Sequence, residues 1–226
     1  MLAEVGYWQN LLDTDHAERQ KNRDRMVEAL AVAEALGARC SINMLGSYCH
    51  GQGPSKHSKR NFSDEAFQEA VEISRYCIDS VKPKTAFFVY EIFPLNVVDS
   101  PEMIAALVKA VDRKQFGVHM DLVNLINCPR NYFNSAGLIQ RSVELFGNHI
   151  VSAHVKDIKL REPAVSVILE EVRPGLGGLD MAAYLRALSG LEHTVPLLME
   201  HLPNEQEYDL AAEYVRSVAR TEGIEM

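Results

Sequence analysis

Seven short apolar runs punctuate the chain: "MLAEVG" (1–6), "ARCSINML" (38–45), "TAFFVYEI" (85–92), "FGVHMDL" (116–122), "HIVSAHVK" (149–156), "AVSVILEEV" (164–172) and "VPLLMEHL" (195–202). Their length and their β-branched and aromatic content predict seven β-strands. Between them, apolar positions recur at helical spacing. Met26, Val27, Leu30, Ala33 and Leu36 share one face of a helix that Asp13 is placed to cap and Gly37 to end. Ser63 precedes a second helix carrying Phe67, Ala70, Val71 and Ile73 and closed before Pro83, and Ser100-Pro101 opens a third with proline at its first position. Residues 135–147 and 179–189 predict two more, stopped by Gly147 and Gly190, and a last helix covers about 205–220.

Strand followed by helix, with strands apolar on both faces, predicts a parallel sheet covered by helices. A barrel and a doubly wound sheet both satisfy that pattern. The dinucleotide fold concentrates its signature in a glycine-rich turn after the first strand. No such turn occurs there, and "GLGG" (175–178) follows a later strand at a different spacing. Instead the strands end in polar residues: Glu91, then His119 and Asp121, then His154 and Lys156, then Glu200. That distribution is expected of the catalytic rim of a TIM-type (β/α) barrel. Residues two apart share a face of a strand, so His119 pairs with Asp121, and His154 with Lys156.

Composition narrows the function classes. The 226 residues, 47% hydrophobic and 24% charged, suit one globular domain covering 1–226. Acidic residues outnumber basic ones by 31 to 23, and a net charge of −8 argues against a nucleic-acid partner. No run approaches the roughly 18 apolar residues of a membrane span, and the start of the chain lacks a basic segment leading into a long apolar one. A cytoplasmic protein without a membrane partner is expected. Cys40, Cys49, Cys77 and Cys128 lack CxxC spacing and are expected to be reduced thiols.

Two glutamates, an aspartate and a histidine converging on a barrel mouth would repel one another without a neutralising cation. A divalent metal ion is the economical answer. A shell of carboxylate oxygens with one imidazole suits Mn²⁺ or Mg²⁺, and less well Co²⁺ or Zn²⁺. Taken singly, each acid also fits a solvated or helix-capping carboxylate; the set of four strand ends carries the metal reading. His119 fits either a substrate contact or a satisfied group behind the ligands. Lys156 and Asp157 fit a salt-bridged strand end, with Lys156 alternatively neutralising an anionic substrate and Asp157 orienting a neighbour.

The ordered motifs "FFVYEIFP", "HMDLVNLIN", "SAHVKD", "RPGLGGLD" and "LLMEHL" resemble those of the sugar isomerase and epimerase barrels related to xylose isomerase, a superfamily that also contains apurinic endonucleases. The resemblance covers essentially the whole chain. It implies Glu91, Asp121, His154 and Glu200 as metal ligands, and Glu91 and Glu200 as the acid/base pair. The implied chemistry is removal of a proton alpha to a metal-bound carbonyl of a small sugar or polyol, through an enediolate, with the second glutamate returning a proton. By position, Asn124 and Arg161 join His119 and Lys156 as candidate substrate contacts. "RPGLGG" fits a loop approaching the site as well as a plain surface turn.

Matching the motif order makes "MLAEVG" the second strand of eight, so the first βα unit is missing from a barrel of seven expected parallel strands. A seven-stranded barrel, an open edge, pairing in a homo-oligomer (dimer or tetramer), or a start internal to a longer protein each accommodate that gap. The polar loop "GSYCHGQGPSKHSKRN" (46–61) fits a lid or a solvated loop, and its Lys56, His57, Lys59 and Arg60 could meet a phosphate. A dehydratase of a keto-inositol-like substrate and a sugar-binding barrel without turnover are the competing readings. A nuclease is disfavoured by the charge and by the few histidines at strand ends.

Overall fold

The computed structural model describes residues 2–51 and 56–226. In chain order the elements are β1 (Glu4–Gly6), α1 (His16–Leu36), β2 (Cys40–Asn43), α2 (Asp64–Val81), β3 (Phe87–Glu91), α3 (Pro101–Val111), β4 (Phe116–Met120), α4 (Leu122–Leu125), α5 (Pro129–Phe133), α6 (Ser135–Phe146), β5 (Ile150–His154), β6 (Asp157–Leu160), β7 (Leu169–Val172), α7 (Met181–Ser189), β8 (Leu197–Leu198) and α8 (Glu205–Thr221). The contacts divide the chain into two compact units, one through Met120 together with His149–Ser152, the other Asp121–Asn148 with Ala153–Met226. Among the described residues no helix is long and apolar enough to cross a membrane.

In the first unit β1, β2, β3, β4 and the opening residues of β5 follow one another as parallel strands. Their register is fixed by pairs such as Glu4 with Cys40, Cys40 with Phe87 and Phe88 with Phe116. Cys40, Ile42, Val89 and Val151 pack as one buried cluster, as continuous apolar strands covered on both faces require. Helices α1, α2 and α3 are capped by Asp15, Ser63 and Ser100, with Pro101 at the start of α3. The cap of α1 lies two residues beyond the expected Asp13. Asp15 accepts the N–H groups of Ala17 and Glu18, whereas Asp13 accepts from Asp15 and Gly51. Leu36, expected on the buried face, is exposed in the last turn.

In the second unit the end of β5 pairs in parallel with β8 through Ala153 with Leu197 and His154 with Leu198. The phenol of Tyr184, on α7, donates to the His154 carbonyl at 3.1 Å. The run 164–172 departs from expectation. Only its end is a strand, and β7 pairs antiparallel with β6, outside the parallel sheet. The turn between them carries "REPA", where Pro163 withholds an N–H from any ladder. Six of the seven expected strands therefore form the parallel sheet, in the order β1-β2-β3-β4-β5-β8. Neighbours in sequence that are neighbours in the sheet, joined by helices, give the α/β topology of a TIM-type barrel, with six parallel strands among the described residues.

Candidate metal centre

The site in the second unit is built from strand ends. Asp121 follows β4 directly and caps α4, its Oδ1 accepting the Asn124 N–H at 3.2 Å. This leaves Oδ2 for other partners. Lys156 Nζ lies 2.8 Å from Oδ2 and His154 Nδ1 3.3 Å from it. His154 ends β5, and its Nδ1 is also 3.3 Å from Glu200 Oε1, just beyond β8. Lys156 bonds Glu200 as well, and lies 3.5 Å from Glu171 Oε2 on β7. His201 closes the group, 3.0 Å from Glu171 and 3.5 Å from Glu200.

Asp121, His154 and Lys156 are buried, and the Glu200 side chain retains 27% exposure. Burial alone would raise the Asp121 carboxyl, but the His154 hydrogen bond and the Lys156 charge hold it well below the usual carboxylate range. Burial would likewise depress the Lys156 ammonium, and Asp121 and Glu200 together raise it instead. Asp121 and Lys156 thus form a buried ion pair in which each holds the other charged.

Asp121, His154 and Glu200 each present a ligand-type atom within 4.8 Å of the others. Two carboxylate oxygens and an imidazole nitrogen at that spacing fit a divalent cation of the hard or borderline kind. Exposed acids gather without metals often enough, yet two of these three groups, Asp121 and His154, are buried.

In the first unit Glu91 ends β3, buried, in register with His119 on β4. The fully buried His119 ring directs Nδ1 to Glu4 at 2.7 Å and to Ser152 at 2.8 Å. Glu4 lies on β1 and Ser152 on β5, so both partners are protein groups. Cys40 adjoins them with Sγ 3.5 Å from Ser152 Oγ, and burial, aided by Glu4, pushes its thiol up to about 12. A thiol so unwilling to ionise is a packing residue.

The remaining candidates have the following partners. Asn124 contributes its backbone N–H to the Asp121 cap. Arg161 lies just past β6, paired with Glu170 and more than half exposed. Arg60 of the long polar loop stacks 4.1 Å over the Tyr48 ring and pairs with Glu65 at 2.8 Å; of that loop, 52–55 lie outside the described residues. Asp157 does orient a neighbour: its carboxylate accepts N–H groups from Ile158, Gly175, Gly177 and Leu179, fastening the "RPGLGG" loop. Glu171 and His201 were not anticipated. The only signal for Glu171 was its place in a run expected to be a parallel strand, and for His201 its adjacency to Glu200.

A family model described as xylose isomerase-like TIM barrel matches residues 4–218. No curated protein sequence gives a significant match. Among solved structures, a xylose isomerase-like TIM barrel protein from Mycobacterium smegmatis in complex with magnesium superposes with a TM-score of 0.67 at 16% identity, over 97% of this chain and 72% of that one. D-psicose 3-epimerase with D-tagatose from Clostridium cellulolyticum H10 gives 0.70 at 16%, over 99% and 79%. The probable 3-DHS dehydratase AsbF of petrobactin synthesis from Bacillus anthracis gives 0.67 at 13%, over 96% and 76%. The likenesses to solved structures speak for the fold, and the family match runs from β1 into α8: the chain belongs to the xylose isomerase-like TIM barrel family.

Proposed function

We propose that the protein is a divalent-metal-dependent isomerase or epimerase of a small sugar or polyol derivative. The observation that carries the reading is the convergence of Asp121, His154 and Glu200 at successive strand ends, two of them buried and with ligand-type atoms within 4.8 Å of one another. Glu91 is the fourth ligand in this reading, supported by its buried place at the end of β3 and by the order of motifs it shares with the family. Mn²⁺ or Mg²⁺ suits a shell of three carboxylates and one imidazole. The magnesium complex of the Mycobacterium smegmatis protein agrees with a hard cation.

When bound, the ion supplies Lewis-acid polarisation of a carbonyl and its neighbouring hydroxyl. The protein's own groups handle the proton. One of Glu91 and Glu200 takes the proton from the carbon beside the carbonyl, and the other delivers one to its new position. Glu200 has the exposure needed to meet substrate, while His154 and Asp121 are held by Tyr184 and the α4 cap and keep fixed positions. Lys156 adds a positive charge beside the carboxylates, which favours an oxygen-rich, electron-rich ligand.

Exchange with solvent deuterium during incubation with ketoses and Mn²⁺ tests the reading. Glu91→Gln and Glu200→Gln are each expected to abolish exchange with the fold intact by circular dichroism. Near-normal exchange in either variant overturns the two-glutamate mechanism. Dehydration is a second reading, favoured by the likeness to the Bacillus anthracis dehydratase; it begins with the same proton removal and is recognised by loss of water and a product with enone-like absorbance. Sugar binding without exchange at saturating Mn²⁺ would mark a binding barrel.

A further inference from the structure

Lys156 stands where two carboxylates and a third meet. Its Nζ is 2.8 Å from Asp121 and bonded to Glu200, two of the proposed ligands, and on another side it is 3.5 Å from Glu171, which is not one of them. The Lys156 side chain is buried, 3% exposed, as is Asp121, so water does not neutralise Asp121 in its place, whereas Glu200 and Glu171 reach solvent. A divalent ion bound to Asp121 Oδ2 would sit within about 2.0–2.6 Å of it. An ammonium on the same oxygen would then lie within about 5 Å of that ion, and two cations so close in a buried site repel strongly. Glu171 offers the lysine another anchor. It is held by the β6–β7 ladder opposite Ile158, and its other oxygen is bonded by His201.

We infer that Lys156 is an internal cation that competes with the metal for Asp121 and Glu200, and that Glu171 receives its ammonium when a divalent ion enters. This rests on the metal-centre reading above. The lysine keeps the carboxylates paired before metal arrives, and it sets the affinity by the work of moving from two acids to one. Glu171 therefore acts through Lys156 and is a positioning residue.

The test is calorimetric titration of the full chain with Mn²⁺, together with thermal melting of chelator-treated protein. Lys156→Met is expected to bind Mn²⁺ at least tenfold more tightly than wild type and, without metal, to melt at a lower temperature that Mn²⁺ restores. Glu171→Gln is expected to bind about tenfold more weakly in the wild-type background and to change nothing once Lys156 is methionine. The second comparison separates a landing site from simple loss of a nearby negative charge, because a through-space effect would persist in the double variant. Should Lys156→Met fold only with metal, its melting temperature as a function of Mn²⁺ gives the affinity instead. Wild-type binding with unchanged or weaker affinity in Lys156→Met, or an undiminished Glu171→Gln effect in the double variant, overturns the lysine inference while leaving the metal centre standing. Absence of Mn²⁺ binding in both wild type and Lys156→Met overturns the metal reading itself.

Discussion

Gly177 donates its backbone N–H to the Asp157 carboxylate at 2.9 Å, and a Cβ on that glycine would lie 2.2 Å from the same carboxylate and 2.3 Å from the Ile158 carbonyl. The contact works only because the loop has no side chain there. Asp157 is buried and gathers four N–H groups, and its loss strands those of the buried Ile158 and Leu179. Asp157→Ala is expected to lower unfolding free energy by about 3 kcal/mol. Gly177→Ala should cost about 1–3 kcal/mol, since one of its two clashes is with backbone and does not relax by a rotamer change. Urea unfolding measures both; a loss under about 0.5 kcal/mol in each would show that the loop is not fastened this way.

Asp157 also shows how far the sequence is legible. The strand runs were readable because parallel strands buried on both faces are apolar throughout, and the rim was readable because charge at the end of such a run is conspicuous. Asp121, His154, Lys156 and Glu200 meet in the second unit as that logic requires. The antiparallel pairing of β6 with β7 was not readable, because period and composition do not state strand direction and a short apolar run fits either sheet. With it went Glu171, whose side chain has meaning only once β7 lies beside β6. Arg161 was placed by proximity to a motif in sequence, but the hairpin carries it to Glu170. Asp13 was the expected cap of α1, but Gly51 and His50 hold its carboxylate from a distant loop and Asp15 caps the helix instead.

Glu34 on α1 gives a pH signature of its own. Its carboxylate accepts the N–H groups of Ala86 at 2.8 Å and of Lys84 and Thr85 at 3.0 Å, just ahead of β3. Those bonds, Ala86 first, lower its pKa from 4.5 to about 2. The unfolded chain protonates Glu34 near 4.5 and the folded chain only near 2, so folding holds fewer protons between those values. The stability it contributes is complete above about pH 4.5 and is lost as pH falls toward 2. Glu34→Gln should be less stable than wild type at neutral pH and should show a shallower decline between pH 4.5 and 2, followed by thermal melting. Parallel pH profiles for the two proteins would contradict the assignment.

Asp121→Asn separates the cap from the charge. The amide oxygen keeps an acceptor for the Asn124 N–H, but the group facing Lys156 and His154 loses its negative charge. Breaking one side of a buried ionic cluster typically costs about 3 kcal/mol or more. The metal-free variant is therefore expected to unfold at about 3 kcal/mol less than wild type in urea, whereas loss of the cap alone would cost only about 1 kcal/mol. A cost confined to the cap's size would mean that Glu200 and Glu171 alone neutralise Lys156.

Metal binding should also be visible as stability. An ion that binds the folded chain and not the unfolded one adds about 2.7 kcal/mol at a hundredfold excess over its dissociation constant. Titrating Mn²⁺ into chelator-treated protein should raise the melting temperature in a concentration-dependent way. The increment should fall in Glu200→Gln, which loses a proposed ligand but, unlike Asp121→Asn, leaves the buried Asp121 and Lys156 paired. Tyr184→Phe is the control: it removes the phenol that donates to the His154 carbonyl, costs about 1 kcal/mol, and keeps every ligand atom. Its Mn²⁺-dependent increment should match that of wild type. An equal increment in Glu200→Gln would place the ion away from the strand ends.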